Sequence, residues 1–353
     1  MLHHVRYGGR DDRLDQENSV KRLRSILPLF AALVLLLGVL ATFSPARAQA
    51  AKASLPADAQ EALKKIYEGD AHGAAGLARE IERTRPQSPL GYLIEGEALW
   101  WERYCEACEI KWGMVEVWKH DKRGGDEAYF ALADKAIELA QAQLANSETA
   151  ETHFYAGMGY ALKVRVYGVR GENRNAAKAA VRARTEMLRA LQLDPQMADA
   201  TAALGLYNYY VDTLSPIVKL LRFFMGIPGG DKEKGVEQMK TGMTQGTLLA
   251  VDVRFILARA LRQYDRKYEE ALSIAQPLVE RYPNNPMFLL LAGNLNAELG
   301  RNEKAAEFFH DVGQLPAVPA SPCLAHARQL AESFSAFLLE NKGPGNSHPQ
   351  KDP

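Results

Sequence analysis

The 353-residue sequence is poor in cysteine. It has three, too few for a dense disulfide framework. Neither sign of charge is in excess: Lys+Arg and Asp+Glu stand at 43 each, so the balance does not point to nucleic acid. A glycine-rich phosphate loop, a G-x-S-x-G elbow and an H-E-x-x-H helix are all missing. The histidines His72, His120, His153, His310 and His348 are scattered, and no pair has the spacing of a metal helix. These absences leave no predicted metal, cofactor or catalytic group. Alternating strand patterns are also hard to find. What remains is an ordinary folding composition, 47% hydrophobic and 24% charged.

Long apolar runs are equally scarce, and the one at the N-terminus is informative. Lys21, Arg22 and Arg24 precede an apolar stretch from Ile26 to Phe43, and Ala46-Arg47-Ala48 follows. Charged region, apolar region and A-x-A site come in the order of a secretory signal peptide. The stretch is short for a spanning helix and contains Pro28. Cleavage near Ala48 and export, to the periplasm in a bacterium, are the expectation; an uncleaved membrane anchor is the alternative. Residues 1–19 form a polar leader, with Val20 as a possible true start. Residues 1–48 hold 7 Lys/Arg and 4 Asp/Glu, so beyond them 36 face 39, a net charge of −3. Such a chain has no general attraction to DNA or anionic lipid.

From Ala57 to Leu339 the sequence reads as helices with a period near 3.6, punctuated by Pro, Gly and Asn. The punctuation recurs. Pro286 to Gly293 opens a helix, Leu299-Gly300-Arg301-Asn302 turns the chain, and Glu303 to Phe309 begins a second helix before Pro316. Pro316 follows Pro283 at an interval of 33 residues. The preceding unit carries Ala258, Ala271, Ala275, Leu278 and Pro283, with one extra residue in its turn, Gln263 to Tyr268. Earlier units are looser. Gly157 pairs with Ala183, Met187, Ala190 and Pro195 across lengthened helices, and Gly96 follows Pro89 as Gly293 follows Pro286.

This pattern resembles the tetratricopeptide repeat (TPR) family, whose period is about 34 residues. In that pattern a small residue of the first helix lets the second pack close. The resemblance spans roughly 57–316 and is strongest over 250–316. The segment Gly205 to Val211, with Pro216 to Leu221 and Gly229 to Gly235, is similar to a bacterial group of exported TPR-like proteins. That group is distantly similar to the eukaryotic inclusion-body-clearance family. The resemblance implies an all-α, TPR-like α–α superhelical solenoid over 49–340 and no catalytic residue. The apolar stretch 214–227 reads as an insertion packed under the solenoid, or as a segment docking on a membrane. A helix after Pro322 is expected to cap the array, and 341–353 to be a disordered tail.

The groove of a TPR array is lined by positions flanking the small residue. These are Glu97, Trp100 and Trp101; Asp199, Tyr209 and Tyr210; Arg259 and Arg262; and Asn294. Aromatics with Arg and Asn can anchor an extended peptide, and each arginine can fork onto a carboxylate. The expected function is therefore an exported, non-enzymatic scaffold for a protein or extended peptide, partly acidic; a membrane adaptor docked through 214–227 is the alternative. Cys105 and Cys108, at i and i+3, read as a structural disulfide or helix-packed thiols. Zinc would need more ligands, with Cys323 and His326 far along the chain, and redox catalysis would need a βαβ context.

Overall fold

The computed structural model describes residues 55–111, 113–117, 125–214, 219, 226–316 and 321–340. The leader and signal segment 1–48, most of the 214–227 stretch and the tail 341–353 lie outside the described residues. Thirteen α-helices are found among those described. They are α1 (Ala57–Tyr67), α2 (Ala71–Thr84), α3 (Leu90–Ala107), α4 (Glu127–Leu144), α5 (Ala150–Val169), α6 (Asn173–Leu193) and α7 (Ala198–Asp212). Then follow α8 (Lys232–Gln245), α9 (Ala250–Ala260), α10 (Tyr268–Arg281), α11 (Pro286–Glu298), α12 (Asn302–Gln314) and α13 (Pro322–Glu340). Helices adjacent in sequence pack mostly on one another.

Local chemistry sets the helix starts. Asp70, Thr149 and Asp231 each accept the N–H three residues on, at 2.8, 3.1 and 3.0 Å. Asn285 caps α11 by accepting from Met287 and Phe288 at 2.9 and 3.2 Å, with Pro286 in the first turn. Its Nδ2 also donates to the Tyr67 carbonyl at 3.0 Å, so one cap ties the end of α1 to the start of α11.

Small residues stand where helices cross closely. A Cβ on Gly293 would lie 2.8 Å from Phe309 of α12, and one on Gly157 2.6 Å from Met187 of α6. Gly205 meets main chain first instead of side chain: a Cβ there would lie 2.8 Å from the Gly235 carbonyl oxygen of α8. The lengthened pair expected around Gly157 is present, since α5 has 20 residues and α6 has 21, against 13 each for α11 and α12. The extra turn residue after Ala258 is taken up by a π-helical turn, Leu261–Asp265, followed by Arg266 at φ 52°.

Two features were not foreseen. The chain is not wholly helical: strands β1 (Glu109–Lys111) and β2 (Met114–Glu116) form an antiparallel hairpin turning through Gly113 at φ 73°. The reading of Cys105 and Cys108 as a bridged pair or as two helix-packed thiols is also corrected. Cys105 is bonded to Cys323 of α13, with Cα atoms 5.4 Å apart, and Cys108 is a buried free thiol. The reason is local geometry: α3 ends at Ala107, so Cys108 is extended, while Cys105 faces the packed α13. His326 does not join a metal site; its Nε2 lies 2.7 Å from the Cys108 carbonyl.

Helix α13 covers α12, with Phe309 and Phe334 centroids 4.8 Å apart, and it also packs on α3. Helices early and late in the chain thus share one core. Trp101 stacks 5.0 Å from Phe255 and 5.5 Å from Phe288, and Tyr67 lies 5.7 Å from Tyr282. Each such aromatic pair adds about 0.5–1.5 kcal/mol beyond the burial of its surface.

Candidate functional site

Helices α3, α5, α6, α7 and α9, with Glu116 at the end of the hairpin and Val117 after it, surround a cavity of about 490 Å³. Its walls are chiefly aromatic and aliphatic, from Trp100, Trp101, Tyr104, Met158, Met187, Leu206, Tyr207, Tyr210, Phe255 and Ile256. That size and lining suit a ligand pocket.

Glu116 stands at one edge. Its carboxylate pairs with Arg259 Nε at 2.5 Å and Arg262 Nη2 at 3.1 Å, and accepts from Tyr104 at 2.8 Å. Burial works against its charge, yet the two guanidiniums outweigh burial and hold its pKa below the ordinary carboxylate value. Arg262 also donates to the Val115 carbonyl at 3.0 Å, while Asn294 accepts from Val115 N–H at 3.2 Å and donates to the Gly113 carbonyl at 2.7 Å. The expectation that Arg259 and Arg262 stand open to a partner's carboxylate is therefore corrected. The chain's own extended segment 113–116 occupies them, and Arg262 is 1% exposed.

The nine positions selected in the sequence divide. Trp100, Trp101, Tyr210 and Arg259 line the cavity. Glu97 does not; it is buried in an ion pair with Arg165, which lines the wall and lies 5.6 Å over Trp100. Asp199 accepts N–H bonds from Thr247, Leu248 and Leu249 and organises the start of α9. Tyr209 is fully buried and donates to Asp265 at 2.8 Å. Arg262 and Asn294 grip the hairpin. Helical spacing finds the inner face but cannot say which of its residues other segments already occupy.

Several residues were missed. Asp252, at the cavity wall, accepts from Tyr67 at 3.0 Å and Trp101 at 3.1 Å. Burial, then the nearby Glu97 charge, lifts its pKa well above the carboxylate range. Nothing in the sequence marks a lone Asp in a first turn for this role. Arg184 lines the cavity with its guanidinium 5.5 Å over the Tyr207 ring and has no hydrogen bond or ion pair among the described residues. Gln263 lines it too, and its buried Oε1 lacks a partner there. Val115-Glu116-Val117, two β-branched residues about a polar one soon after Gly113, was the available signal for a strand carrying Glu116.

Among the described residues, no group of three or more His, Cys, Asp or Glu could hold a metal ion, and no helix is long and apolar enough to cross a membrane. Searches of known families and of curated proteins found nothing that matches this chain.

Proposed function

We propose that this protein is an exported, non-enzymatic, TPR-like binding scaffold whose ligand seat is the inner-face cavity. The observation that carries the proposal is the cavity of about 490 Å³, walled in part by Trp100, Trp101, Tyr210 and Arg259. Those residues follow from the repeat resemblance alone, and they meet in one apolar concavity. Helix pairs with Gly157, Gly205 and Gly293 at their crossings support the TPR-like reading. Export rests on the segment before Gln49, and a Cys105–Cys323 disulfide is compatible with an oxidising compartment.

A protein or extended peptide partner engages through apolar side chains placed in the cavity. Carboxylates on Arg259 and Arg262 are not its main anchor, because Glu116 already answers both. The membrane-adaptor alternative turns on 214–227, most of which lies outside the described residues. The test is selection of displayed peptides on the disulfide-intact protein, followed by binding to Ala161→Trp. Ala161 lines the cavity, so tryptophan there takes up its space. Selected peptides should lose most of their affinity for the variant. Undiminished binding to a folded variant puts the seat elsewhere.

A further inference from the structure

The cavity wall carries three arginines, and two of them are answered. Arg259 pairs with Glu116, and Arg165 with Glu97. Arg184 is left without a carboxylate among the described residues, and Tyr207 supports its guanidinium from below. The remaining acid on the wall, Asp252, is engaged by Tyr67 and Trp101. Beside an apolar volume there is thus one unanswered positive charge, always present because arginine does not deprotonate in proteins.

We propose that the cavity takes a small amphipathic acid: a hydrocarbon body in the apolar volume and one carboxylate on Arg184. This rests on the cavity being the ligand seat and goes beyond it by naming a small molecule that would compete with a partner's apolar side chains for the same volume. The polar inventory decides against a buried peptide backbone as that occupant. An extended peptide brings a donor and an acceptor per residue, and each needs a partner once dry. Among the described residues the wall leaves few polar groups without a hydrogen bond: Arg184, the Gln263 amide, the Trp100 indole N–H, the Arg259 Nη atoms and the hydroxyls of Tyr210 and Tyr264, donors with scarcely an acceptor among them. A single-headed acid brings one polar group, and guanidinium and carboxylate match as a fork.

The experiment is calorimetric titration of the disulfide-intact protein with three ligands of equal chain length: decanoate, decanol and decyltrimethylammonium. Decanoate should bind one to one, and decanol about tenfold to a hundredfold more weakly, the effect of losing a charged hydrogen bond. Decyltrimethylammonium should be weaker than decanol. Arg184→Gln should lower decanoate to the affinity of decanol and leave decanol unchanged; Arg184→Lys should keep part of the preference. Arg184 is half-buried and makes no ion pair, so neither change threatens the fold. Equal affinities for decanoate and decanol, or a preference that survives Arg184→Gln, overturns the acid while the apolar seat stands. If none of the three binds, the cavity reading fails and this inference falls with it.

Discussion

Glu116 and Arg262 form an ion pair at 3.1 Å in which both side chains are 1% exposed, although 146 residues separate them. One comes from a hairpin, the other from a π-turn. Their pairing holds the chain's own extended segment against the two arginines that the sequence offered to a ligand.

That burial gives the first prediction. Removing one partner of a buried pair leaves an unanswered charge and costs about 3–5 kcal/mol. Glu116→Ala should lower the urea midpoint by a corresponding amount, because Arg259 and Arg262 both lose their counterion. Adding Arg262→Met to Glu116→Ala should restore part of the loss. Additive losses in the double mutant would show that the two groups do not interact.

A pH dependence follows from Glu82. Burial first, then the hydrogen bond and charge of Glu95, raise its carboxyl from 4.5 to about 7, with Arg79 opposing. Its folded state holds the proton more tightly than its unfolded state. Between about pH 4.5 and 7 this group therefore removes stability as pH rises. Glu82→Gln should flatten that part of the stability profile, read by denaturation at stepped pH. Glu116 works in the opposite sense: its lowered pKa gives stability that is lost as pH falls below the ordinary carboxylate range.

The disulfide closes a loop of 218 residues. Chain entropy gives such a closure about 5.4 kcal/mol, an upper bound in practice. Cys323→Ser should therefore lower the melting temperature, and Cys108→Ser should do so much less. Peptide mapping without reduction should recover Cys105 linked to Cys323. Burial raises the Cys108 pKa, so the thiol should resist alkylation until the protein unfolds. A Cys105–Cys108 peptide would contradict this pairing.

Glycine substitutions should rank by what they meet. At Gly293 a methyl group meets the Phe309 ring edge at 2.8 Å, and a ring can turn. At Gly205 it meets the Gly235 carbonyl at 2.8 Å and the Met239 nitrogen at 2.9 Å, which are main-chain atoms of α8. Overpacking costs about 1–3 kcal/mol. Gly205→Ala should sit near the top of that range and Gly293→Ala near the bottom. A reversed order in thermal melts would refute the close α7–α8 crossing.

Much of the helical order was legible in the sequence because its signals are local. Asn285-Pro286 and Gly300 mark ends, Gly293 and Gly205 mark crossings, and the surplus residue near Tyr264 surfaced as a π-turn. The inner face was legible for the same reason, since Trp100, Tyr210 and Arg259 follow from helical phase. What was not legible depends on long-range encounters. Cys105 meeting Cys323 instead of its neighbour Cys108, Asp252 meeting Tyr67, and Arg262 meeting Glu116 bring together residues 146 to 218 positions apart. No spacing rule reaches that far. Arg184 escaped notice because it sits on the second helix of its pair, whereas the groove positions are counted from the small residue of the first.

The Cys105–Cys323 bond has a mechanical consequence. Tension applied at Leu55 and Leu338 runs through α1 to α3, crosses from Cys105 to Cys323, and leaves along α13. The helices between, which include α5, α6, α7 and α9 around the cavity, carry none of it. While the sulfurs stay joined, stretching the ends can strip α1 and α2 from their neighbours, but it cannot lengthen the chain that builds the cavity's other walls.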